Sequence, residues 1–340
     1  MNDRLLTLAL ALGLLALPTG CPSTDDDDSA DDDDTTSDDD DTTGDDDDTT
    51  SDDDDTTGDD DDSAATVTEL TLSADVTETD TRGSITLTVT ADWSDGAEET
   101  VDETDGVVFG TNAKGSGPVV INAGVMTSAW INIIEVTATY EGVTSPAVTV
   151  TFLGAAPQVG DLILHELLVD GTAGDANGDG TTDGDQDAFV EFLNTADVEL
   201  DLEGLQLLER DFDPNLPRHT FAADTSVGPG QALVVFGGGS ADISPAGASV
   251  FVADNASDPG TQLYLHLDPT GDIVKLRDGA GTLLVEFAYG SESDPVIDAN
   301  LDEAITLDPQ VTGTTWAAHS SLTGAVGDYS PGTLADGTAF

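Results

Sequence analysis

Short stretches in which apolar and polar residues alternate recur along the chain from about residue 66 onward. The clearest of them occupy residues 70–76, 85–91 and 134–140, and another apolar run spans residues 147–152. A period of two residues is typical of a strand that is buried on one face only. About seven such strands in one short segment predict a β-sandwich over residues 66–154.

Short apolar runs that are typical of strands also recur in the second half of the chain. Its apolar runs are separated by glycines and by pairs such as Asp278-Gly279, and none of them shows a convincing helical period. The predicted strands are residues 162–168, 189–194, 205–208, 232–236, 273–276 and 283–289. We therefore expect a second all-β domain over residues 158–340, joined to the first by a hinge at Gly154–Pro157.

Two short motifs in the first domain carry a family resemblance. They read ADWSDG at residues 91–96 and ATYEGV at residues 138–143, and with them the segment resembles the bacterial Ig-like group 2 family. Members of that family are mostly stalk or adhesion modules on cell surfaces, so the resemblance implies spacing or binding. Trp93 and Trp130 are open to two interpretations, as ligand platforms or as core aromatics, and their strand positions favour the core.

Seven motifs carry a longer resemblance in the second domain. They read LHELL (164–168), FVEFLN (189–194), DLEGLQL (201–207), RHTF (218–221), PGQALVVFGGG (229–239), GDIVKLRDGAG (271–281) and YSPGT (329–333). Together they resemble a bacterial lamin-tail domain, although His165 stands where that family commonly has asparagine. The resemblance implies an Ig-like sandwich with no established enzymatic activity of its own. The predicted fold class is all-β, with two Ig-like β-sandwich domains that follow a signal peptide and a disordered, Asp-rich linker.

Acidic residues dominate the composition, with 70 Asp and Glu against 7 Lys and Arg and a formal net charge of −63. Six blocks of four aspartates lie between residues 25 and 62. Like charges at this density repel one another, so we expect residues 22–65 to form a disordered, extended linker. A calcium buffer or an acidic docking strip is the alternative. A chain of this charge repels phosphate backbones, so we expect no nucleic-acid partner.

The first 21 residues predict export. Residues 5–17 form an apolar run that is short for a membrane span and has the length of a signal-peptide core. Cys21, the only cysteine, follows closely, and the stretch resembles a bacterial lipoprotein signal, with Leu17 one position too early for the usual pattern. The resemblance implies a lipidated Cys21 and a membrane anchor in the bacterial cell envelope, at the outer membrane or cell surface. The alternative is a signal peptide cut nearby, with Cys21 removed or unpaired.

Residues 174–194, GDANGDGTTDGDQDAFVEFLN, bring many oxygen-bearing side chains together just before a strand. Calcium takes six to eight oxygen ligands, and alternate acidic positions bent by a glycine supply them. The candidate ligands are the side chains of Asp175, Asn177, Asp179, Asp183 and Asp187, and the backbone carbonyl of Thr181. The spacing follows an EF-hand up to its ninth position, but Gln186 stands where the twelfth should be glutamate. We expect a structural Ca²⁺ site here; the alternative is a solvated Asp-Gly loop.

Signals for catalysis are weak. The four histidines are scattered, and the chain has no HExxH motif, no cysteine pair for zinc and no G-x-S-x-G motif. Glu166 and Glu191 are candidates for paired carboxylates on neighbouring strands, which leaves a metal-dependent extracellular hydrolase as the alternative function. The favoured interpretation is that they make structural hydrogen bonds or face the ion. We expect a protein that is not an enzyme. The predicted function is a cell-surface lipoprotein that displays a calcium-stabilised lamin-tail-like sandwich for adhesion or for binding a protein or glycan.

Overall fold

The computed structural model describes residues 64–210, 216–254, 265–299 and 302–340. The predicted signal peptide, the predicted lipidation at Cys21 and nearly all of the Asp-rich linker lie outside the described residues. Within those ranges the regular elements are β-strands and three single-turn 3₁₀ helices, so the predicted all-β fold class is confirmed. No helix in the same ranges is long and apolar enough to cross a membrane.

The first sandwich contains ten strands. They are β1 (Val67–Ala74), β2 (Glu78–Asp80), β3 (Ile85–Trp93), β4 (Glu98–Val101), β5 (Val108–Ala113), β6 (Val119–Asn122), β7 (Val125–Ser128), β8 (Asn132–Tyr140), β9 (Val143–Thr144) and β10 (Val148–Leu153). One sheet has the order β1-β3-β7-β6, with β4 also paired to β3. The other has the order β2-β10-β8-β5, with β9 also paired to β8.

Alternation places every second residue of these strands in the core. In β3, Ile85, Leu87, Val89 and Ala91 are all buried, whereas the threonines between them are more exposed. Trp93 is half-buried and makes a T-shaped contact with Tyr140. The two inner faces thus form one apolar cluster, as expected for aligned sheet packing.

The second sandwich contains the remaining described elements. Its strands are β11 (Leu162–Leu168), β12 (Phe189–Asn194), β13 (Leu200–Asp201), β14 (Gln206–Leu208), β15 (His219–Thr220), β16 (Ser226–Val227), β17 (Ala232–Phe236), β18 (Ala248–Val252), β19 (Ile273–Arg277), β20 (Leu283–Ala288), β21 (Ile305–Asp308) and β22 (Thr315–Ala318), and its 3₁₀ helices are Gly171–Ala173, Gly290–Glu292 and His319–Ser321. A six-stranded sheet has the order β18-β17-β12-β11-β21-β22, and a four-stranded sheet has the order β15-β14-β19-β20. A two-stranded pair, β13-β16, completes the sandwich.

The central strands of the six-stranded sheet are covered on both faces. Val190 and Phe192 of β12 belong to the main apolar core, whereas Phe189, on the opposite face, belongs to a smaller cluster that includes Tyr329. All six residues of β12 are buried as a result. A side chain at position 166 or 191 lies on the face of this smaller cluster, because side chains alternate along a strand.

Glu199 connects the two sandwiches. Its Oε2 accepts a hydrogen bond from the backbone of Ile131 (2.8 Å), and its Oε1 accepts one from Ser226 Oγ (2.5 Å). The segment that the sequence predicts as a hinge is held beside it. Ala155 is buried, forms a bridge to Leu200, and donates its N–H to the Glu199 carbonyl.

Candidate functional site

The acidic loop, residues 174–187, is organised by Asp187. The Oδ1 atom of Asp187 accepts hydrogen bonds from the backbone N–H groups of Ala176 (2.8 Å) and Asn177 (3.0 Å), and Oδ2 accepts one from Asp183 (2.8 Å). The side chain is fully buried. Burial raises the pKa of the Asp187 carboxyl, the three backbone donors oppose the rise, and the charge of Asp175 adds to it.

Three other predicted ligands cap the N–H group two residues further along the loop. The acceptors are Asn177 Oδ1 for Asp179 (3.0 Å), Asp179 Oδ1 for Thr181 (2.9 Å) and Asp183 Oδ1 for Asp185 (3.1 Å). This is the Asx-turn pattern, in which a short acidic or amide side chain replaces a backbone acceptor. The spacing that suggested an ion site therefore also folds the loop locally.

Asp175 differs from the other loop carboxylates. Its Oδ2 accepts a hydrogen bond from Gly180 (2.8 Å) across a turn in which Gly178 and Gly180 have φ values of 78° and 89°. Glycine adopts such values without steric cost. Its Oδ1 is buried and has no hydrogen-bond partner. Leaving a buried carboxylate oxygen unsatisfied costs free energy, so this atom is the part of the loop that best fits a bound cation.

Two distant segments pack against the loop. A Cβ atom at Gly237 would lie 1.9 Å from the carbonyl oxygen of Asp185, so only glycine permits that approach. On the other side, a Cβ atom at Gly174 would lie 2.5 Å from the Tyr329 hydroxyl. Burial raises the pKa of Tyr329, and the charges of Asp187 and Asp175 raise it further, which reflects how closely this ring approaches the acidic loop.

A second set of polar residues lies on β11, on β12 and at the start of the 3₁₀ helix after β22, and we call it the core cluster: His165, Glu166, Glu191 and His319. Glu166 and Glu191 are direct cross-strand partners in the β11–β12 pair. All four side chains are fully buried. Two like charges placed opposite each other in a sheet are destabilising unless other groups compensate them.

The C-terminal segment, residues 329–340, supplies part of that compensation. Ser330 donates its backbone N–H to Glu166 Oε1 (2.8 Å) and its hydroxyl to Glu166 Oε2 (2.8 Å). Gly332 donates its N–H to Glu191 Oε2 (2.5 Å). The two glutamates thereby hold a segment that is more than 140 residues away in sequence.

The two histidines complete the cluster. His165 lies at an irregularity of β11, and its Nδ1 is 2.7 Å from Glu191 Oε1. The Nδ1 atom of His319 lies 3.1 Å from Thr306 Oγ1 and 3.4 Å from Glu166 Oε1. The Nε2 atoms of both rings are buried and have no hydrogen-bond partner. Phe340 makes a T-shaped contact with His165, with ring centroids 4.9 Å apart.

Burial raises the pKa of Glu191 to about 7. The hydrogen bond and charge of His165 act in the opposite direction, Glu166 raises the pKa further, and the Gly332 N–H lowers it. Desolvation thus outweighs the local hydrogen bonds at this carboxyl.

Three members of the core cluster could hold a metal ion. Ligand atoms of His165, Glu166 and Glu191 all lie within 4.8 Å of one another, and no other three His, Cys, Asp or Glu in the described ranges are arranged in this way. The acidic loop brings Asp175 and Asp187 near each other, but its carboxylates do not form such a set.

The fold defines the second sandwich as an Ig-like, all-β domain. Residues 155–291 match the family model of the Lamin Tail Domain. None of the curated proteins compared with the chain gives a significant match. The matched residues run from the buried bridge at Ala155 to the 3₁₀ helix after β20 and include the acidic loop, His165 and both core glutamates. They end before β21, His319 and the C-terminal segment.

Sequence reasoning identified part of the core cluster. The sequence predicts Glu166 and Glu191 as a pair on neighbouring strands, and the structure places them opposite each other on β11 and β12. The parts played by His319, Ser330 and Gly332 had no local signal, because they depend on contacts between residues far apart in sequence.

Proposed function

We propose that this protein is a non-enzymatic surface protein whose lamin-tail-like sandwich binds a protein or a glycan. The observation that carries the proposal is the burial of Glu166 and Glu191. Both carboxylates are inaccessible to solvent and are occupied by donors from the C-terminal segment. A general acid or base must come within hydrogen-bond reach of a substrate, so these residues are unsuited to hydrolysis in this conformation.

An open cavity offers a place for a ligand. It has a volume of about 560 Å³ and is lined by residues that include Val296, Asp298 and Trp316. Trp316 is half-buried and packs on Phe287, with ring centroids 4.4 Å apart. An aromatic ring beside a few polar groups is a common means of recognition. Neither core glutamate lines this cavity.

Calcium is the ion that we propose for the acidic loop. Every side-chain ligand atom among the candidates is an oxygen, and Asp175 Oδ1 is buried without a hydrogen-bond partner. A bound ion would be coordinated by this oxygen and would hold the loop against Gly237–Gly239 and Tyr329. Sites of this kind in extracellular modules bind calcium with dissociation constants of about 10⁻⁴–10⁻³ M, so the effect would be structural.

The proposed location is the bacterial envelope, with a lipid on Cys21 as the anchor and the Asp-rich linker as a spacer. The proposal excludes nucleic acid as a partner because the net charge of −63 opposes phosphate binding. Mass spectrometry of the mature N-terminus tests the anchor. An acylated Cys21 supports it, and an unmodified terminus elsewhere contradicts it.

Binding is tested with the purified full chain on a glycan array and against fractionated envelope proteins, with and without calcium. We expect one partner class to be retained, and Trp316→Ala to weaken its binding while Val159→Ala, at an exposed position, does not.

A parallel assay for esterase, phosphatase and glycosidase activity tests the alternative function, a hydrolase. Turnover that is lost in Glu191→Gln would overturn the non-enzymatic proposal.

A further inference from the structure

The core cluster is short of positive charge. Two carboxylates are fully buried in one small volume, and the backbone and hydroxyl groups that contact them are neutral donors. Burying an ionised carboxylate costs several kcal/mol unless an opposite charge compensates it. The ionisable groups beside them are His165 and His319, each of which has one ring nitrogen in contact with the cluster and the other without a partner.

The ligand atoms are already close together. One atom each from His165, Glu166 and Glu191 lies within 4.8 Å of the other two. A carboxylate oxygen that accepts one hydrogen bond keeps a second lone pair, so the bonds from Ser330 and Gly332 do not prevent coordination. Such bonds are typical of the outer shell that orients metal ligands.

We propose that His165, Glu166 and Glu191 bind a structural transition-metal dication, with Zn²⁺ as the expected ion. A mixed set of imidazole and carboxylate donors suits zinc and its neighbours better than calcium, which prefers oxygen alone. The site is closed to solvent, whereas catalytic zinc sites keep an open position for water. Structural zinc sites are four-coordinate, and a second oxygen of Glu166 or Glu191 would supply the fourth ligand atom. This site is separate from the acidic loop and does not depend on the proposed binding function.

A bound ion would hold the C-terminal segment against the six-stranded sheet. Glu166 and Glu191 lie on adjacent strands and hold Ser330 and Gly332, so an ion bound between them ties the sheet to the C-terminal segment. His319 is adjacent, 3.4 Å from Glu166 Oε1, and supports the same carboxylate. The metal would neutralise both carboxylates at once, which neutral donors do not.

The test uses the full chain, stripped with a chelator, loaded with Zn²⁺ or Co²⁺ and washed in high salt to remove ions held loosely by the acidic linker. We expect one retained ion per chain and, with Co²⁺, an absorption spectrum of nitrogen and oxygen ligation in a closed site. His165→Gln should abolish retention, and Ser330→Ala should weaken it about 10–100-fold by removing an outer-shell donor.

Two controls separate this site from others. His219→Gln replaces a buried histidine outside the cluster, and Asp187→Asn alters the acidic loop; both should leave the retained ion in place. Equal retention in wild type and His165→Gln would overturn the proposal. If His165→Gln does not fold, X-ray absorption at the metal edge of the loaded wild-type chain decides. Scattering from an imidazole ligand supports the site, and its absence contradicts it. A folded chain that retains no ion shows that protons alone compensate the carboxylates, and this too would overturn the proposal.

Discussion

The acidic loop and the core cluster are two regions of one sandwich that use carboxylates in opposite ways. In the loop, Asp187 accepts hydrogen bonds from residues 4 to 11 positions away. In the core cluster, Glu166 and Glu191 accept them from residues 164 and 141 positions away. Asp187 thus folds the loop locally, whereas the core cluster joins the two ends of the domain.

The difference shows where burial of charge has its largest effect. Much of the loop is exposed, and water can replace many of its hydrogen bonds. The core cluster has no such access, so each lost partner leaves a buried polar group unsatisfied. Tyr329 to Gly332 touches both regions, because Tyr329 approaches Gly174 while Ser330 and Gly332 contact the glutamates.

The largest effect is expected from the core cluster. Glu191→Ala removes the partner of both His165 and the Gly332 N–H, and breaking one side of a buried pair lowers the free energy of unfolding by about 3–5 kcal/mol. Urea denaturation measures the change. Glu135→Ala is the matched control, since it removes an exposed ion pair with Lys114, and we expect no measurable loss. Equal effects at both positions would remove the distinction between the two kinds of site.

A smaller effect is expected in the loop. Asp187→Ala removes the acceptor of three backbone N–H groups and should lower the free energy of unfolding by about 1–3 kcal/mol without calcium. It should also abolish any rise in melting temperature that calcium gives the wild type. Asp185→Ala, an exposed change of the same charge in the same loop, is the control. A calcium-dependent rise that survives in Asp187→Ala contradicts the assigned ligand.

The smallest effect concerns His219, a buried histidine outside the core cluster. Burial lowers the pKa of His219 below its usual value of about 6.5. The unfolded chain therefore takes up a proton below about pH 6.5 while the folded chain resists it, so stability falls as the pH decreases. His219→Gln should flatten this part of the stability profile, measured by denaturation at a series of pH values. A slope that persists in His219→Gln would contradict the assignment.

Much of the fold could be predicted from local sequence patterns. The predicted strand at residues 232–236 coincides with β17, and the prediction for residues 273–276 differs from β19 by one residue. The short strands β21 and β22 were not predicted, because they contain few residues and their burial depends on the sheet they join. The loop residues were identified by spacing, while their calcium ligation stays a prediction.

The sequence by itself determined the all-β class, the positions of the turns and the acidic loop, because strand alternation, glycine and Asx chemistry act over a few residues. Only the tertiary structure decided that Glu166 and Glu191 face each other, that two histidines lie beside them, and that the C-terminal segment covers them. The contacts with the C-terminal segment join residues more than a hundred positions apart. Whether a glutamate is a catalyst, an anchor or a metal ligand depends on what surrounds it after burial, and no local pattern records that surrounding.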